Sequence, residues 1–375
     1  MRILKKFNVF LVLAMMFSLF SITGCTNDAD TNDSSNDNVE NTETGGGGNK
    51  VGIAMPTQSL QRWNQDGNNL KDMLEEKGFE VDLQYAQNEP ETQVSMIENM
   101  IAKGANHLII APIDGETLSA VVNQAKQDGV KIIAYDRLIM NTDGVDYYST
   151  FDNTKVGEIQ GQYIVDSLKL DDSDESYNLE LATGPMDDNN TRFYFDGAMS
   201  VLQPYIDEGK LVVKSGQTEM NQAATPNWDE AEAQARMENI LTSTYQDENV
   251  DAILCSNDSV SLGVQSALKA AGYGKGDKEM PITTGQDSNI PNVKSILDGT
   301  QSMSVFKDTR ELAKKTVNMI LSMEKGEEVE VNDTETYDNG VKVVPSYLIE
   351  PIVVDQENID SVLFESGYYD KEEFK

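Results

Sequence analysis

From residue 50 onward the sequence alternates short apolar runs with longer segments of helical period, and this alternation restricts the possible folds more than any other feature. Helices are predicted between the apolar runs, for example at residues 93–103 and 117–128. Repeated strand–helix alternation predicts parallel sheets covered by helices on both faces. The apolar runs predict strands at residues 51–55, 81–85, 107–111, 131–135, 178–183, 211–215, 252–256, 281–285 and 302–306.

The number of predicted strands favours two doubly wound α/β domains over one. With 375 residues, the chain is long enough to form two hydrophobic cores. In open parallel sheets, ligands bind beyond the carboxyl ends of the strands. A cleft between two such domains would therefore collect residues that follow strands in both of them.

Polar and aromatic residues follow six of the predicted strands, in segments 59–63, 136–137, 186–190, 257–258, 286–287 and 307–308. Carboxylates, amides and guanidinium groups can hold a sugar hydroxyl through several hydrogen bonds, and an indole can pack on the C–H face of a sugar ring. Each residue also has a structural interpretation. Asp136 and Arg137 could form a surface ion pair, Asp287 and Asp258 could cap helices, and Trp228 could be a packing residue.

Composition argues against several classes of function. The chain has 29 basic and 64 acidic residues, and a net charge of −35 repels nucleic acid. There is one histidine, His107, and the two cysteines, Cys25 and Cys255, lie far apart. Neither a His-based nor a Cys-x-x-Cys metal site can be built from these residues. We expect no metal, no cofactor and no nucleic-acid partner.

The N-terminus has the pattern of a secretory leader: basic residues at positions 2–6 and an apolar run at 9–20. Residues 22–25, which end in Cys25, resemble the lipobox of bacterial lipoproteins. The resemblance implies a signal peptide at 1–24 and a diacylglyceryl group on Cys25, and two acyl chains anchor a protein stably. A plain secretory signal with a chance cysteine is the alternative.

Residues 26–49 are polar and end near four consecutive glycines, so residues 25–49 are predicted to be a lipidated cysteine followed by a disordered tether. Such a random coil spans about 25–30 Å. A long tether on a lipid anchor favours the extracellular face of the membrane in a Gram-positive type of cell.

The body resembles the pentose/hexose class of type I periplasmic binding proteins, in particular the multiple-monosaccharide-binding proteins of ABC importers. Segments 53–57, 134–139, 187–190, 285–287, 306–313 and 339–347 carry the resemblance, which extends from residue 50 to 375. It implies two doubly wound lobes joined by a three-strand hinge. Residues 50–151 plus 308–338 would form the N-terminal sugar-binding lobe, and 152–307 plus 339–375 the C-terminal one.

The resemblance also implies a set of sugar contacts, with Trp63 and Trp228 stacked on the two faces of the ring and the other members holding hydroxyls. The loop at 222–227 departs from the family, in which a basic residue can occur near Trp228. The preference among glucose, galactose, arabinose, fucose and xylose is therefore open. The implied contacts are Arg62, Trp63, Asp136, Arg137, Asp188, Asn190, Trp228, Asn257, Asp287 and Lys307.

The function predicted from these features is an extracellular solute-binding lipoprotein, monomeric, that captures a neutral monosaccharide and delivers it to an ABC importer permease. A sensor that presents the sugar to a chemotaxis or signalling receptor would share the same site. A glycosidase with paired carboxylates is a weaker alternative. Sugar-responsive repressors share the body plan but carry an N-terminal helix-turn-helix, whose place is taken here by the leader and the acidic tether.

Overall fold

The computed structural model describes residues 49–374. The predicted signal peptide, the lipid attachment at Cys25 and nearly all of the tether lie outside these residues. Within the described range, no helix combines the length and the apolar character needed to cross a bilayer.

The described residues form an α/β structure, as predicted. The strands are β1 (Lys50–Met55), β2 (Glu80–Tyr85), β3 (His107–Ile110), β4 (Lys131–Tyr135), β5 (Tyr147–Phe151), β6 (Tyr177–Ala182), β7 (Leu211–Val212), β8 (Ala252–Cys255), β9 (Ile282–Thr283), β10 (Met303–Phe306), β11 (Ser346–Ile349) and β12 (Ile352–Asp355). The helices are α1 (Gln61–Glu76), α2 (Pro90–Ala102), α3 (Ser119–Gln127), α4 (Asn153–Leu168), α5 (Asn189–Asp207), α6 (Met220–Ala223), α7 (Glu230–Thr244), α8 (Asp258–Ala270), α9 (Ile290–Leu297) and α10 (Thr309–Lys325). All nine predicted strands are present, whereas β5, β11 and β12 were not predicted.

The first sheet has six parallel strands in the order β11-β5-β4-β3-β1-β2. Successive residues of β1 serve opposite faces: Ile53 packs with α1 and α10, and Ala54 packs with α2 and α3. Helices therefore cover both faces, as a parallel sheet requires. We call this sheet with α1, α2, α3 and α10 the N-terminal lobe.

The second sheet has four parallel strands in the order β7-β6-β8-β9. A parallel bridge between Gln286 and Val305 continues it to β10, and β12 pairs antiparallel with β10 at the edge. Helix α4 packs closely against α5, and α7 packs against α8. We call these strands with α4–α9 and the segment after β12 the C-terminal lobe.

The chain passes between the lobes three times: from β5 to α4, from β10 to α10, and from β11 to β12. The first two crossings coincide with the predicted boundaries at 151/152 and 307/308. The third differs, because residues 339–375 were assigned to the C-terminal lobe, yet Ser346–Ile349 pairs in parallel with β5 of the first sheet. The remaining bounds given for the two lobes stay a prediction.

Candidate functional site

A small cavity lies between the two lobes and is lined by side chains from both of them. Nine of the ten predicted contacts line it. The N-terminal lobe contributes Leu60, Arg62, Trp63, Asp136 and Arg137, and the C-terminal lobe and its crossing contribute Asp188, Tyr194, Trp228, Asn257, Ser259, Gln286, Asp287, Asn289 and Lys307.

Asp136 follows β4 directly and has a left-handed backbone, with φ of 60°. Its carbonyl accepts hydrogen bonds from Tyr148 (2.6 Å) and Thr150 (2.8 Å) of the neighbouring strand. A left-handed aspartate costs conformational energy and persists only where its surroundings hold it. These bonds hold the turn that aims the Asp136 carboxylate at the cavity.

Asn190 is the predicted contact that does not line the cavity. Its side-chain amide donates to the Asp136 carbonyl at 2.8 Å, and its oxygen accepts from Asn153 at 3.1 Å and from Tyr148 at 3.2 Å. Asn190 lies at the start of α5, in the opposite lobe to Asp136. It therefore joins the two lobes behind the cavity wall.

Arg62 is surrounded by three carboxylates. Its Nε lies 2.9 Å from Asp66, and its two terminal nitrogens lie 2.6 Å from Asp136 and 3.4 Å from Asp287. Burial lowers the pKa of Arg62, but the carboxylates of Asp136, Asp66 and Asp287 outweigh it and raise the pKa well above its ordinary value. The single positive charge of Arg62 thus links Asp136 of the N-terminal lobe to Asp287 of the C-terminal lobe.

Lys307 lies at the second crossing and ties the same carboxylates together. Its Nζ is 3.1 Å from Asp287 and 3.9 Å from Asp136. Burial raises the pKa of Asp136, but Arg62 and Lys307 more than compensate and hold it below its ordinary value. Asp136 is therefore an ionised hydrogen-bond acceptor at neutral pH.

Trp63 forms the apolar part of the N-terminal wall. The guanidinium carbons of Arg62 and Arg137 lie 4.9 and 5.0 Å from the centre of its ring, within cation–π distance. Arg137 also pairs with Asp188 across the lobes, at 2.8 Å. These contacts fix the orientation of the indole.

Trp228 forms the opposite apolar wall. Its indole nitrogen donates to Asp188 at 3.0 Å, and its ring meets Tyr194 edge to face. The ring lies so close to Gly184 that a Cβ there would overlap the indole carbons. Trp228 and Asn227 both have left-handed backbones, at φ of 56° and 54°, an uncommon conformation for a bulky side chain.

Three α-helices of the C-terminal lobe begin at the cavity, and the residues that precede them differ in how they use their side chains. Asp188 and Asn257 cap α5 and α8 by accepting from the backbone of Asn190 and Val260. The interpretation of Asp258 as the cap of α8 is wrong, because Asn257 takes that place. Asn289 holds the same position at α9 without capping it.

Two buried oxygens of the C-terminal wall, Asn289 Oδ1 and Gln286 Oε1, have no hydrogen-bond partner among the described residues. The Gln286 amide group donates to the carbonyl of Ser256, which leaves its oxygen free. A buried acceptor without a partner is costly, so these oxygens mark positions where a ligand hydroxyl can donate.

Five lining residues were not among the predicted contacts: Leu60, Tyr194, Ser259, Gln286 and Asn289. Leu60 and Gln286 stand inside the predicted strand-end segments, and Asn289 follows Gln286 closely. Tyr194 lies more than one turn into α5, where strand-end reasoning does not reach.

The charges that line the cavity are equal in number, with three cations (Arg62, Arg137 and Lys307) and three carboxylates (Asp136, Asp188 and Asp287). Asp66 and Asp258 lie behind the wall and are fully buried. Burial raises the pKa of Asp66 to about 6 and that of Asp258 to about 8. The arrangement suits a ligand that carries no net charge, because each lining charge already has a partner.

Both lobes also contribute to a second depression, at the surface. Asp114 and Glu116 of the N-terminal lobe lie opposite Met186 and Asp187 of the C-terminal lobe around one surface depression. Met186 is 52% exposed. We call this depression the acidic rim; it exists as one surface only while the lobes are together.

Comparison with known proteins gives consistent results. Residues 51–328 match the family described as periplasmic binding protein domain. The multiple sugar-binding periplasmic receptor ChvE of Rhizobium radiobacter is 54% identical over 325 residues, which cover 87% of this chain and 92% of the receptor. The D-xylose-binding periplasmic protein of Escherichia coli is 37% identical and covers 86% of this chain and 92% of its own length.

A solved structure with the same fold comes from Clostridium phytofermentans. It is an ABC transporter solute-binding protein with bound β-D-glucose, and it aligns with a TM-score of 0.84 and 53% identity over 87% of this chain and all of the other. The resemblance and the fold that were predicted from the sequence are both confirmed.

Proposed function

Since this chain belongs to the periplasmic binding protein domain family, we propose that it captures a neutral monosaccharide in the cavity between its lobes. The observation that carries the proposal is the composition of the cavity, in which two indoles and equal numbers of cations and carboxylates surround one space. Relatives named for binding several sugars, and a similar structure with bound glucose, support the same ligand class.

A pyranose suits these walls because it is amphipathic. Its C–H faces can pack on Trp63 and Trp228, while its hydroxyls meet charged groups around the edge. Each hydroxyl that a sugar lacks leaves a buried polar group unpaired, at a cost of about 1–3 kcal/mol. Discrimination between aldoses therefore comes from the hydroxyl pattern, read by the predicted contacts together with Gln286 and Asn289.

We infer that the protein binds its ligand and releases it unchanged, since its relatives are named as sugar-binding receptors and sugar-binding proteins. A general acid must reach the atom it protonates, within about 3 Å. The fully buried carboxyls with a raised pKa, Asp66 and Asp258, do not line the cavity, and Asp136 has a lowered pKa. Neither Asp66 nor Asp258 is therefore placed to act as the general acid of a glycosidase in this cavity.

Delivery to an ABC importer is the role implied by the family. The sugar touches residues of both lobes, so it binds the closed arrangement more tightly than the open one and shifts the population towards closure. The acidic rim that includes Asp114 and Asp187 assembles from both lobes, and a permease that contacts it would distinguish the loaded protein from the empty one. Co-purification with a permease or with a signalling receptor separates the importer from the sensor alternative.

We extend the proposal to the location, on the basis of residues 22–25 and the polar segment that follows them. A lipid on Cys25 would hold the body at the outer face of the membrane. In the producing cell, Cys25→Ser should move the protein from the membrane fraction to the medium. Unchanged membrane association of this variant would contradict the anchor and leave the sugar proposal intact.

Calorimetry with D-glucose, D-galactose, D-xylose and L-arabinose tests the ligand class. Glucuronate and glucosamine serve as charged controls of nearly the same shape. We expect at least one neutral aldose to bind, and both charged sugars to bind at least about 100-fold more weakly, because a buried charge without a partner costs several kcal/mol. An absence of binding to every neutral monosaccharide would contradict the proposal.

A further inference from the structure

The C-terminal tail, residues 357–374, packs on the C-terminal lobe but reaches the N-terminal one. Ile359, Leu363 and Tyr369 join a buried cluster with residues of α9, β10 and β12. The tail is thereby fixed to the C-terminal lobe through apolar contacts. Its two adjacent tyrosines, Tyr368 and Tyr369, extend from this cluster to α1 and to the start of α10.

The hydroxyl of Tyr369 is a three-way junction between the lobes. It donates to the carbonyl of Ser288 in its own lobe at 3.0 Å. It accepts from the side-chain amides of Gln61 (3.0 Å) and Gln65 (3.4 Å) on α1 of the N-terminal lobe. Tyr369 is only 7% exposed, so solvent competes little for these bonds.

Gln61 completes the junction from the other side. Its oxygen accepts from the backbone N–H of Ile290 at 3.1 Å, while its amide nitrogen donates to Tyr369. Both ends of this side chain are therefore held by the C-terminal lobe. Gln61 immediately precedes Arg62, and Ser288 immediately follows Asp287, so the junction lies one residue away from the charge pair that crosses the cavity.

Tyr368 makes a second link at the crossing between β10 and α10. Its hydroxyl lies 3.3 Å from the oxygen of Gln65 and 3.1 Å from that of Thr309. Its ring packs edge to face on Phe306. The tail thus contacts α1 and a connection between the lobes at the same time.

We propose that the C-terminal tail is a closure latch, in which Tyr369 holds Gln61 against the C-terminal lobe and so positions Arg62 opposite Asp287. Neither Tyr369 nor Gln61 lines the cavity, so the latch stabilises the closed arrangement without contacting the ligand. Its bonds to Gln61 and Gln65 break when the lobes part, whereas the bond to Ser288 stays within one lobe. The latch depends on the proposed function only in experiments that measure sugar affinity.

The test compares Tyr369→Phe with Tyr273→Phe in the purified protein. Both changes remove one buried hydroxyl, but that of Tyr273 accepts from the backbone of Val250 at 3.0 Å within the C-terminal lobe. We expect Tyr369→Phe to weaken binding of D-glucose by about 3- to 10-fold, mainly through faster release, because it removes about one net hydrogen bond from the closed state. Tyr273→Phe should lower the melting temperature and leave affinity unchanged.

The chain's two tryptophans, Trp63 and Trp228, both line the cavity, so intrinsic fluorescence reports closure directly. Without sugar, Tyr369→Phe should make this fluorescence more accessible to acrylamide than in the wild type or in Tyr273→Phe. Gln61→Ala should reproduce both effects, and adding it to Tyr369→Phe should cost little more, because the two groups share one junction.

If Tyr369→Phe bound D-glucose and were quenched by acrylamide just as the wild type is, the latch would be overturned. Fully additive effects of Tyr369→Phe and Gln61→Ala would overturn it as well. If the wild type binds no monosaccharide, the proposed function fails, and the acrylamide comparison without sugar still decides the latch.

Discussion

Asp287 shows how a charged side chain can line a cavity in which the charges balance one another. Lys307 lies 3.1 Å and Arg62 3.4 Å from its carboxylate, and the three groups meet at the wall of one cavity. A carboxylate between two cations still has lone pairs that can accept from a hydroxyl. Such bonds are stronger than those between neutral groups, so this residue should dominate the affinity.

Asp287→Asn should therefore weaken binding of D-glucose by about 10- to 150-fold, which corresponds to the loss of one hydrogen bond to a charged group. Calorimetry measures the change. Asp298→Asn is the matched control, since Asp298 is exposed at the end of α9 in the same lobe. Equal affinities of the two variants would show that Asp287 does not contact the sugar.

Asp258 gives a prediction about pH. Burial raises its pKa to about 8, and the neighbouring Asp287 carboxylate adds to the effect. Between about pH 4 and 8 the folded protein holds a proton that the unfolded chain has released, so this group makes the free energy of unfolding fall as pH rises. Asp66, with a pKa of about 6, contributes in the same direction at lower pH.

Denaturant unfolding from pH 6 to 8 separates the contribution of Asp258 to the free energy of unfolding from that of Asp66. The free energy of unfolding of the wild type should fall relative to that of Asp258→Asn, by at most about 1.4 kcal/mol per pH unit for one proton. Parallel curves for the two proteins across this range would contradict a protonated Asp258. No sequence pattern indicates this proton, because it depends on burial and on neighbours that are distant along the chain.

At the scale of helices and strands, the contact between α4 and α5 contains glycines at which even one added methyl group does not fit. A Cβ at Gly157 of α4 would overlap the backbone carbonyl of Tyr194 on α5, and one at Gly197 would overlap that of Thr154. The backbones of the two helices therefore touch. Tyr194 also lines the cavity, so this helix contact sets the position of a cavity wall.

Gly157→Ala should destabilise the protein by about 1–3 kcal/mol, because the added methyl group forces the two helices apart. Sugar affinity should fall as well, because Tyr194 moves with α5. Chemical unfolding and calorimetry measure the two effects. Gln162→Ala, at an exposed position of the same helix, should change stability by no more than about 0.5 kcal/mol; a Gly157→Ala protein that matched it would contradict the proposed contact.

Predicted strands such as β3, β4 and β8 are apolar runs that are largely buried, whereas β5 and β11, which were missed, carry mixed patterns. Residues 147–151 of β5 contain Ser149 and Thr150, both buried, and residues 346–349 of β11 form an edge strand with one fully buried residue. Hydrophobic runs identify strands whose sequence is continuously apolar and fail for strands whose buried residues are polar. The error in the third boundary has the same origin, since it depended on recognising β11.

Over the whole molecule, the strand-end rule predicted most of the residues that line the cavity, because parallel strands bring their carboxyl ends to one edge of a sheet. It does not predict which polar groups neutralise one another. Arg62, Asp136 and Asp287 come from distant parts of the chain, and their pairing is a property of the closed arrangement. Asn190 shows the limit of the rule. The rule places this residue at a strand end but does not predict that its side chain binds the Asp136 carbonyl instead of lining the cavity.

Each lobe has its own apolar cores, and three chain crossings and the cavity residues join them. In differential scanning calorimetry, the sugar-free protein should therefore show a broad or double transition, while a ligand bound to both lobes couples their unfolding. With sugar at 1,000 times its dissociation constant, we expect one sharp transition stabilised by about 4 kcal/mol. Two transitions of which only one moves on adding sugar would show that the ligand contacts a single lobe, because coupling requires contacts on both.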